Sequence, residues 1–156
     1  MNSKTALLNK ISDLHKAASQ AKKFSYSPYS KFQVGAALLT EDNEVIFGTN
    51  VENASFGATI CAERTAILKA ISEGCNQFTD IVIVTDSKTS TPPCGMCLQV
   101  MSEFFSDEVR VWLGDTRKIR ICYEFKDLLL QRFGPKDLKM PALYEKKSSR
   151  KKVKRK

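Results

Sequence analysis

Long apolar runs are absent from this 156-residue sequence, and none approaches the roughly 20 residues that a membrane-spanning helix needs. The first five residues lead into neither a long apolar region nor a small-residue cleavage site, so we expect no secretory signal peptide. The five cysteines are an odd number, which argues against a disulfide framework. These absences predict a cytoplasmic protein, and in a reducing compartment clustered cysteines more often bind metals or take part in catalysis.

Histidine is almost absent as well. The single one, His15, follows Leu14 on a stretch whose apolar residues recur at helical spacing. We interpret it as a surface or hydrogen-bonded histidine rather than a metal ligand. The chain shows no internal repeat and no sign of a second domain, and its length suits one domain with a sizeable core.

The net charge of +8 belongs to one end of the chain. Eight of the 25 basic residues follow Glu145, which leaves residues 1–145 with 17 basic and 17 acidic residues. We therefore predict a neutral folded domain over residues 1–140 and a basic, disordered tail over 141–156, whose last eleven residues cannot pack. Such a tail is typical of phosphate-backbone binding or nuclear localisation, although it contains no aromatic residue that could stack on bases.

Hydrophobic periodicity and turn residues divide the rest of the chain into alternating elements. A polar segment over 50–57 is either a solvated loop or a binding loop. Gly35 and the two alanines that follow it in the first strand indicate that something packs closely against the backbone there. In order we predict a helix over 4–23, a hairpin of strands over 32–39 and 45–48, a helix over 61–74, a buried strand over 80–86, a helix over 95–106, strands over 109–113 and 119–122, and a short helix over 125–130. This order predicts an α/β layer fold around one mixed sheet.

Three cysteines have a spacing that suits a metal site. Cys94 and Cys97 are separated by two residues, so they can bind one ion from a tight turn, and Cys61 supplies a third thiolate. Tetrahedral zinc with three protein ligands keeps one open position, as a catalytic site requires. The other thiols, Cys75 and Cys122, are interpreted as small apolar residues.

The neighbours of these cysteines favour catalysis. Cys61 begins a predicted helix and Cys97 lies in the first turn of another, where the helix dipole favours thiolate over thiol. Glu63 can reach a water on the metal without binding the metal itself. Arg64 either hydrogen-bonds the ligand sulfurs or lies on the helix surface.

With these motifs, the sequence resembles the small homotetrameric cytidine deaminases that bind zinc through three cysteines. The matching segments are SYSPYSKF (25–32), VGAA (34–37), NVENASFG (50–57), CAERTA (61–66), PCGMC (93–97) and FGPKDL (133–138). They span most of the expected domain. The resemblance implies a three-layer fold with a mixed five-stranded sheet and helices on both faces, and one Zn²⁺ per subunit.

The resemblance also implies roles for individual residues. Phe32 packs near a bound nucleoside, Asn50 and Glu52 bind the ribose hydroxyls, and Ala62 and Glu63 read the cytosine edge. In the implied homotetramer three further residues serve the pocket of a neighbouring subunit, and these are Ala54, Phe56 and Phe133. Phe133 would stack on the base.

The implied reaction is the hydrolytic deamination of free cytidine and deoxycytidine to uridine and deoxyuridine, with release of ammonia for pyrimidine salvage. Glu63 would carry protons from water to N3 of the pyrimidine and to the departing amine. The alternatives are C-to-U deamination of a polynucleotide held by the basic tail, deamination of a modified cytosine compound, and a zinc module without catalytic activity. The basic tail would also permit a nuclear location in a eukaryote.

The sequence departs from the family pattern at two positions. Leu98 stands where the family commonly has arginine after the last cysteine, which removes a charge near the thiolates or a subunit contact. Leu130 stands where the family often has proline, and this change is expected to loosen the approach of Phe133.

Overall fold

The structure is a computed structural model that describes residues 3–138. Its helices and strands follow the predicted order, with shifts of a few residues at their ends. They are α1 (Ser3–Lys22), β1 (Val34–Thr40), β2 (Val45–Thr49), α2 (Ala62–Ser72), β3 (Phe78–Thr85), α3 (Gly95–Phe104), β4 (Arg110–Gly114), β5 (Ile119–Glu124) and α4 (Phe125–Leu128). Short 3₁₀ turns cover Phe56–Ala58 and Pro135–Leu138.

The five strands form one mixed sheet in the order β2-β1-β3-β4-β5. The β3–β4 pair is parallel and the other three pairs are antiparallel. The predicted hairpin is the β1–β2 pair, with Ala37 opposite Phe47. The parallel pair requires a crossover, and α3 provides it.

Helices cover both faces of the sheet, because the strands alternate apolar side chains between the two sides. Ala37 and Leu39 of β1, like Val82 and Val84 of β3, pack with α1. Ala36 on the opposite side packs in a larger core with α2, α3 and Phe125. The predicted three-layer α/β fold with a mixed five-stranded sheet is therefore confirmed.

Two glycines allow the helices to lie against the sheet backbone. A Cβ atom at Gly35 would come within 2.0 Å of the carbonyl oxygen of Ala18 in α1. A Cβ atom at Gly48 would lie 2.5 Å from the backbone nitrogen of Ala66 in α2. The close approach predicted at Gly35 is thus confirmed, and Gly48 plays the same part on the other face.

The strand directions bring the starts of α2 and α3 together. Strands β2 and β3 are both antiparallel to β1, so they run toward the same edge of the sheet. Helix α2 follows β2, and helix α3 follows β3, so both helices begin beyond that edge. Open α/β sheets commonly bind ligands at such an edge.

Two predictions concern residues beyond the described part. The proposed boundary at residue 140 and the basic tail over 141–156 lie outside the described residues.

Within residues 3–138 no helix is long and apolar enough to cross a membrane. The short helix predicted over 125–130 ends at Leu128, and an irregular segment joins it to the 3₁₀ turn at Pro135–Leu138.

Candidate metal centre and substrate cavity

The sulfur atoms of Cys61, Cys94 and Cys97 lie within 4.8 Å of one another. The Cys61–Cys94 separation is 3.9 Å and the Cys94–Cys97 separation is 3.6 Å. Cys61 is the N-cap residue of α2 and Cys94 is the N-cap residue of α3, with closely similar extended backbone angles. Cys97 lies one turn into α3 and is fully buried.

These three residues fit a zinc ion. Tetrahedral zinc with sulfur ligands at about 2.3 Å separates those sulfurs by roughly 3.8 Å, close to the two sulfur–sulfur distances observed. Three soft thiolate ligands favour zinc over hard cations such as Mg²⁺. Among the described residues no other group of histidine, cysteine or acidic side chains could hold a metal ion. The donor set also leaves a fourth position that no described cysteine or histidine fills.

Positive potential at this cluster favours thiolates. Two helix N-termini point at it, and Arg64 Nη2 lies 3.7 Å from the sulfur of Cys61. The interaction with the Cys97 thiol, together with Arg64, lowers the pKa of Cys61 to about 5. The same thiol–thiolate interaction raises the pKa of Cys97, so the cluster retains a proton that a metal ion must displace.

Arg64 occupies the position expected of a residue that supports the ligands. Its side chain is buried, and Nη2 also donates a 2.9 Å hydrogen bond to the carbonyl of Thr59. The Nε of Arg64 is buried without a hydrogen-bond partner in the described structure. The guanidinium is therefore held beside Cys61 and does not project into solvent.

Glu63 lies in the first turn of α2, two residues after Cys61, and is only 5% exposed. It lines the same cavity as Cys61 and Cys94. Burial is the main cause that raises the pKa of its carboxyl group above the ordinary glutamate range. A buried carboxyl with a raised pKa beside a metal site can both accept and return a proton.

The cavity has a volume of about 210 Å³ and connects the cysteines to the β1–β2 region. Phe32, Asn50 and Glu52 line it, so one cavity contains the residues expected at the ribose and those expected at the metal. Ala62, whose backbone was expected to contact cytosine, is fully buried between Cys61 and Glu63.

Asn50 uses most of its hydrogen-bonding capacity within the chain. Its Oδ1 accepts from the hydroxyl of Ser25 at 2.6 Å and the backbone N–H of Val34 at 2.8 Å. Its Nδ2 donates to the carbonyl of Phe32 at 2.8 Å. One N–H of the amide remains for a ligand within this described network.

Glu52 is held by the loop before β1. Its Oε2 accepts hydrogen bonds from the backbone N–H groups of Tyr29 at 2.8 Å and Ser30 at 3.2 Å, and the Ser30 hydroxyl donates to Oε1. The Ser30 hydroxyl is the largest cause that lowers the pKa of Glu52. The carboxylate is thus fixed in its charged form and keeps an acceptor site for a hydroxyl group.

The residues assigned to a neighbouring subunit's pocket do not line the cavity of their own chain. Phe56 is 74% exposed and Phe133 is 58% exposed, and Ala54 is exposed beside the turn that contains Phe56. The structure therefore separates them from the other predicted site residues.

Sequence reasoning missed several cavity residues. Ile83 and Thr85 reach the cavity from the end of β3, and Thr91 and Pro92 reach it from the loop before Cys94. Thr85 and Thr91 have their hydroxyl oxygens 3.4 Å apart. Their position in the topology could have identified these residues, because the end of β3 leads through a short loop to the zinc ligand Cys94. Ser30, Val34 and Thr59 also line the cavity.

The lone histidine and the two other cysteines lie outside the metal cluster. His15 is half-buried, and its Nε2 is 2.6 Å from the Asp115 carbonyl, far from the metal cluster in sequence and fold. The Cys75 thiol donates to Glu44 Oε2 at 3.5 Å, and Cys122 is exposed on β5. Neither thiol joins the three-cysteine group.

Comparison with known proteins agrees with this geometry. The sequence model described as "Cytidine and deoxycytidylate deaminase zinc-binding region" matches residues 8–113. The cytidine deaminase of Halalkalibacterium halodurans is 54% identical over 102 residues, which are 65% of this chain and 77% of that protein. The cytidine deaminase of Sporosarcina psychrophila is 39% identical over 137 residues, which are 83% of this chain and 98% of that protein.

A solved structure shares the fold at substantial sequence identity. The crystal structure of cytidine deaminase from Burkholderia pseudomallei aligns with a TM-score of 0.74 and 41% identity, covering 78% of this chain and 98% of that one. The matched family region contains Cys61, Cys94 and Cys97, so the triad is the zinc-binding site of this chain. The three-cysteine zinc site, the mixed five-stranded sheet and these matches together show that the chain belongs to the cytidine deaminase family.

Proposed function

We propose that the protein catalyses the hydrolytic deamination of free cytidine and deoxycytidine to uridine and deoxyuridine, with release of ammonia. One observation carries the proposal: the buried carboxyl of Glu63 shares a cavity with Cys61 and Cys94 of the zinc site and with Asn50 and Glu52. That cavity combines a metal-binding end with a polar end suited to a sugar. The named relatives, cytidine deaminases at up to 54% identity, support the same reaction.

Cys61, Cys94 and Cys97 would hold the zinc ion, which supplies Lewis-acid activation of water near neutral pH. Glu63 removes a proton from the attacking water and delivers it to N3 of the pyrimidine as the water oxygen bonds to C4. Glu63 then takes the proton that remains on the C4 hydroxyl and transfers it to the amine, which leaves as ammonia when the C4–N bond breaks and the C4 carbonyl forms. One water is consumed for each ammonia released.

The polar end of the cavity supports recognition of a nucleoside. Glu52 offers a charged acceptor for a ribose hydroxyl, and the free N–H of Asn50 offers a donor. Both groups are fixed by the loop before β1, so they can bind a sugar without first becoming ordered. Phe32 supplies an apolar surface at the same cavity, beside the nucleoside.

The active form is proposed to be a homotetramer in which Ala54, Phe56 and Phe133 complete the pocket of an adjacent subunit. The support is that two large aromatic rings are exposed on a single chain, whereas exposed apolar surface of this kind commonly marks an interface. A cytoplasmic location of this assembly stays a prediction.

The test is a comparison of substrates. Purified protein containing zinc is incubated with cytidine, deoxycytidine and a cytidine-containing oligonucleotide, and loss of cytosine absorbance is followed. We expect turnover of both nucleosides and little turnover of the oligonucleotide, unchanged after removal of residues 146–156. Preferential turnover of the oligonucleotide, lost on removal of the tail, would instead favour polynucleotide editing. Zinc binding with no turnover of any substrate would identify a non-catalytic module.

A further inference from the structure

The backbone of Phe133 is fixed to α3 although its ring is exposed. The Phe133 carbonyl accepts a 2.9 Å hydrogen bond from Gln99 Nε2, and the hydroxyl oxygen of Ser102 lies 3.3 Å from it. Gln99 and Ser102 are three residues apart, so they share one face of α3. The irregular segment between α4 and the last 3₁₀ turn is therefore attached to the helix that contains two zinc ligands.

Gln99 is the main donor in this arrangement. Its second amide N–H faces the Ser102 oxygen at 3.1 Å, and the Ser102 hydroxyl lies closest to the Gln99 backbone carbonyl, at 2.7 Å. A serine hydroxyl has one proton to donate, so that proton goes to the nearer carbonyl. Both N–H groups of the Gln99 amide are then used: one donates to the Phe133 carbonyl and the other donates to the Ser102 oxygen.

Contacts on either side of Phe133 restrict the same segment. The guanidinium of the preceding residue, Arg132, pairs with Asp107 and lies 4.8 Å above the Phe125 ring. After Phe133, the N–H of Gly134 donates to Asp137 Oδ2 at 2.8 Å. These contacts restrict the segment even though Leu130 replaces the proline common in the family. An aromatic ring on such a fixed backbone loses little conformational entropy when it binds.

Helix α3 thus serves two purposes on different faces. Cys97 faces the zinc site of its own chain, and Gln99, two residues later, lies about 200° further round the helix. The zinc ligand and the Phe133 anchor are therefore parts of one rigid element. If Phe133 completes a neighbouring pocket, α3 sets the geometry of two active sites.

We propose that Gln99 is a positioning residue for the active site of the adjacent subunit, acting through the Phe133 carbonyl. This inference depends on the homotetramer and the Phe133 role proposed above. Gln99 does not line the cavity and is not one of the three clustered cysteines. It fixes the backbone from which the Phe133 ring reaches the base, so its loss should weaken nucleoside binding more than the chemical step.

The first test is the variant Gln99→Glu, which keeps the size of the side chain but replaces the donor with an acceptor. We expect KM for cytidine to rise by about two- to ten-fold, the range for loss of an aromatic contact, with kcat and zinc content within about two-fold of wild type. The matched control is Gln131→Glu, the same chemical change on an exposed side chain of the same segment. An equal rise of KM in both variants, or no rise in Gln99→Glu, would refute the anchoring role.

The second test identifies which site Gln99 serves. Gln99→Glu subunits are co-expressed with an excess of Glu63→Ala subunits, which have no proton carrier but keep Gln99 and Phe133. We expect the KM of the mixed assemblies to return toward the wild-type value, because inactive subunits supply a well-placed Phe133 to active neighbours. An unchanged KM would show that Gln99 acts within its own chain and would overturn the proposal.

The two levels of hypothesis fail differently. Wild-type protein that does not deaminate cytidine would refute the proposed function before any variant is made. Wild-type protein that is active as a monomer would refute the role of the adjacent subunit. Active, oligomeric wild-type protein with a normal Gln99→Glu variant would refute the positioning role alone.

Discussion

The cavity at the metal centre and the aromatic surface proposed to complete it are built in different ways. At the metal centre, which we call the floor, Cys61, Cys94, Cys97 and Glu63 come from the first turns of two helices, and Glu63 and Cys97 are buried. The aromatic surface, which we call the wall, consists of the ring of Phe32, which lines the cavity, and the rings of Phe56 and Phe133, which we propose complete an adjacent subunit's pocket; these rings are 39%, 74% and 58% exposed. Hydrogen bonds and packing fix the floor, whereas solvent surrounds much of the wall.

This difference indicates what a single chain can and cannot build. Residues of the floor lie within a span of 37 residues, 61–97, and the strand directions bring their helices together. The wall residues Phe56 and Phe133 do not line the cavity of their own chain. Changes in the floor should therefore act within one subunit, and changes in the wall should act through assembly.

The largest effect is expected from Cys97→Ser. Serine is a poor zinc ligand because it lacks the soft, readily ionised thiol, so the protein should lose its zinc and all measurable deamination. Lost metal also removes binding energy that stabilises the folded state, so we expect a lower Tm. Zinc analysis measures the loss of metal, an activity assay measures the loss of deamination, and thermal unfolding measures the change in Tm. Cys75→Ser makes the same change outside the cluster, and a full zinc content in Cys97→Ser would contradict the assignment.

The next effect concerns the other component of the floor. Glu63→Gln keeps the shape of the side chain but cannot accept a proton, so kcat should fall by about 10²- to 10⁴-fold. Zinc content should stay near wild type, because Glu63 binds no metal. Glu103→Gln, at an exposed position of α3, is the control. Retention of more than about a tenth of wild-type kcat would exclude Glu63 as the proton carrier.

Much of the floor could be predicted from the sequence because its signals are local. The spacing of Cys94 and Cys97, the glutamate two residues after Cys61, and helix starts at both sites do not require knowledge of the whole fold. The buried strand β3 was also predictable, since its consecutive β-branched residues indicate burial on both faces. The close packing against the Gly35 backbone was predictable because a glycine between apolar residues of a strand leaves room for a neighbouring element.

The rest depends on contacts between distant segments. The cavity positions of Thr85 and Thr91 follow from the end of β3, and neither belongs to a recognisable motif. The hydrogen bond from Gln99 to the Phe133 carbonyl joins residues 34 positions apart. No local pattern indicates that contact, because a glutamine on an exposed helix face is ordinary in sequence.

A smaller effect is expected in the wall. Phe56→Ala removes an exposed ring whose centroid lies 5.8 Å from the centroid of the Tyr29 ring, in an edge-on arrangement. Because we propose that this ring completes a substrate pocket, we expect KM for cytidine to rise by about ten-fold with kcat nearly unchanged. Sedimentation of the variant shows whether assembly is lost at the same time. Phe24→Ala removes a ring of similar exposure and is the control. An unchanged KM with intact assembly would show that Phe56 is outside every substrate pocket.

The smallest effect is expected at Glu52, which we propose binds the ribose. Ser30→Ala removes the main hydrogen bond that lowers the pKa of Glu52, so that pKa should rise toward the ordinary glutamate value. Because the pKa of Glu52 is lowered by folding, its ionised form stabilises the folded loop at every pH above the ordinary glutamate pKa. That stabilisation is lost as the pH falls through the lowered pKa of folded Glu52.

At neutral pH Glu52 is charged in both proteins, and KM should change by less than about two-fold. Below about pH 5.5 the variant protonates first, so its KM should rise at a higher pH than that of wild type. Ser30→Thr keeps the hydroxyl and should restore the wild-type profile. Measurements of KM between about pH 4.5 and 8 test this order. Identical acid limbs for wild type and Ser30→Ala would show that binding at the ribose end does not depend on the charge of Glu52.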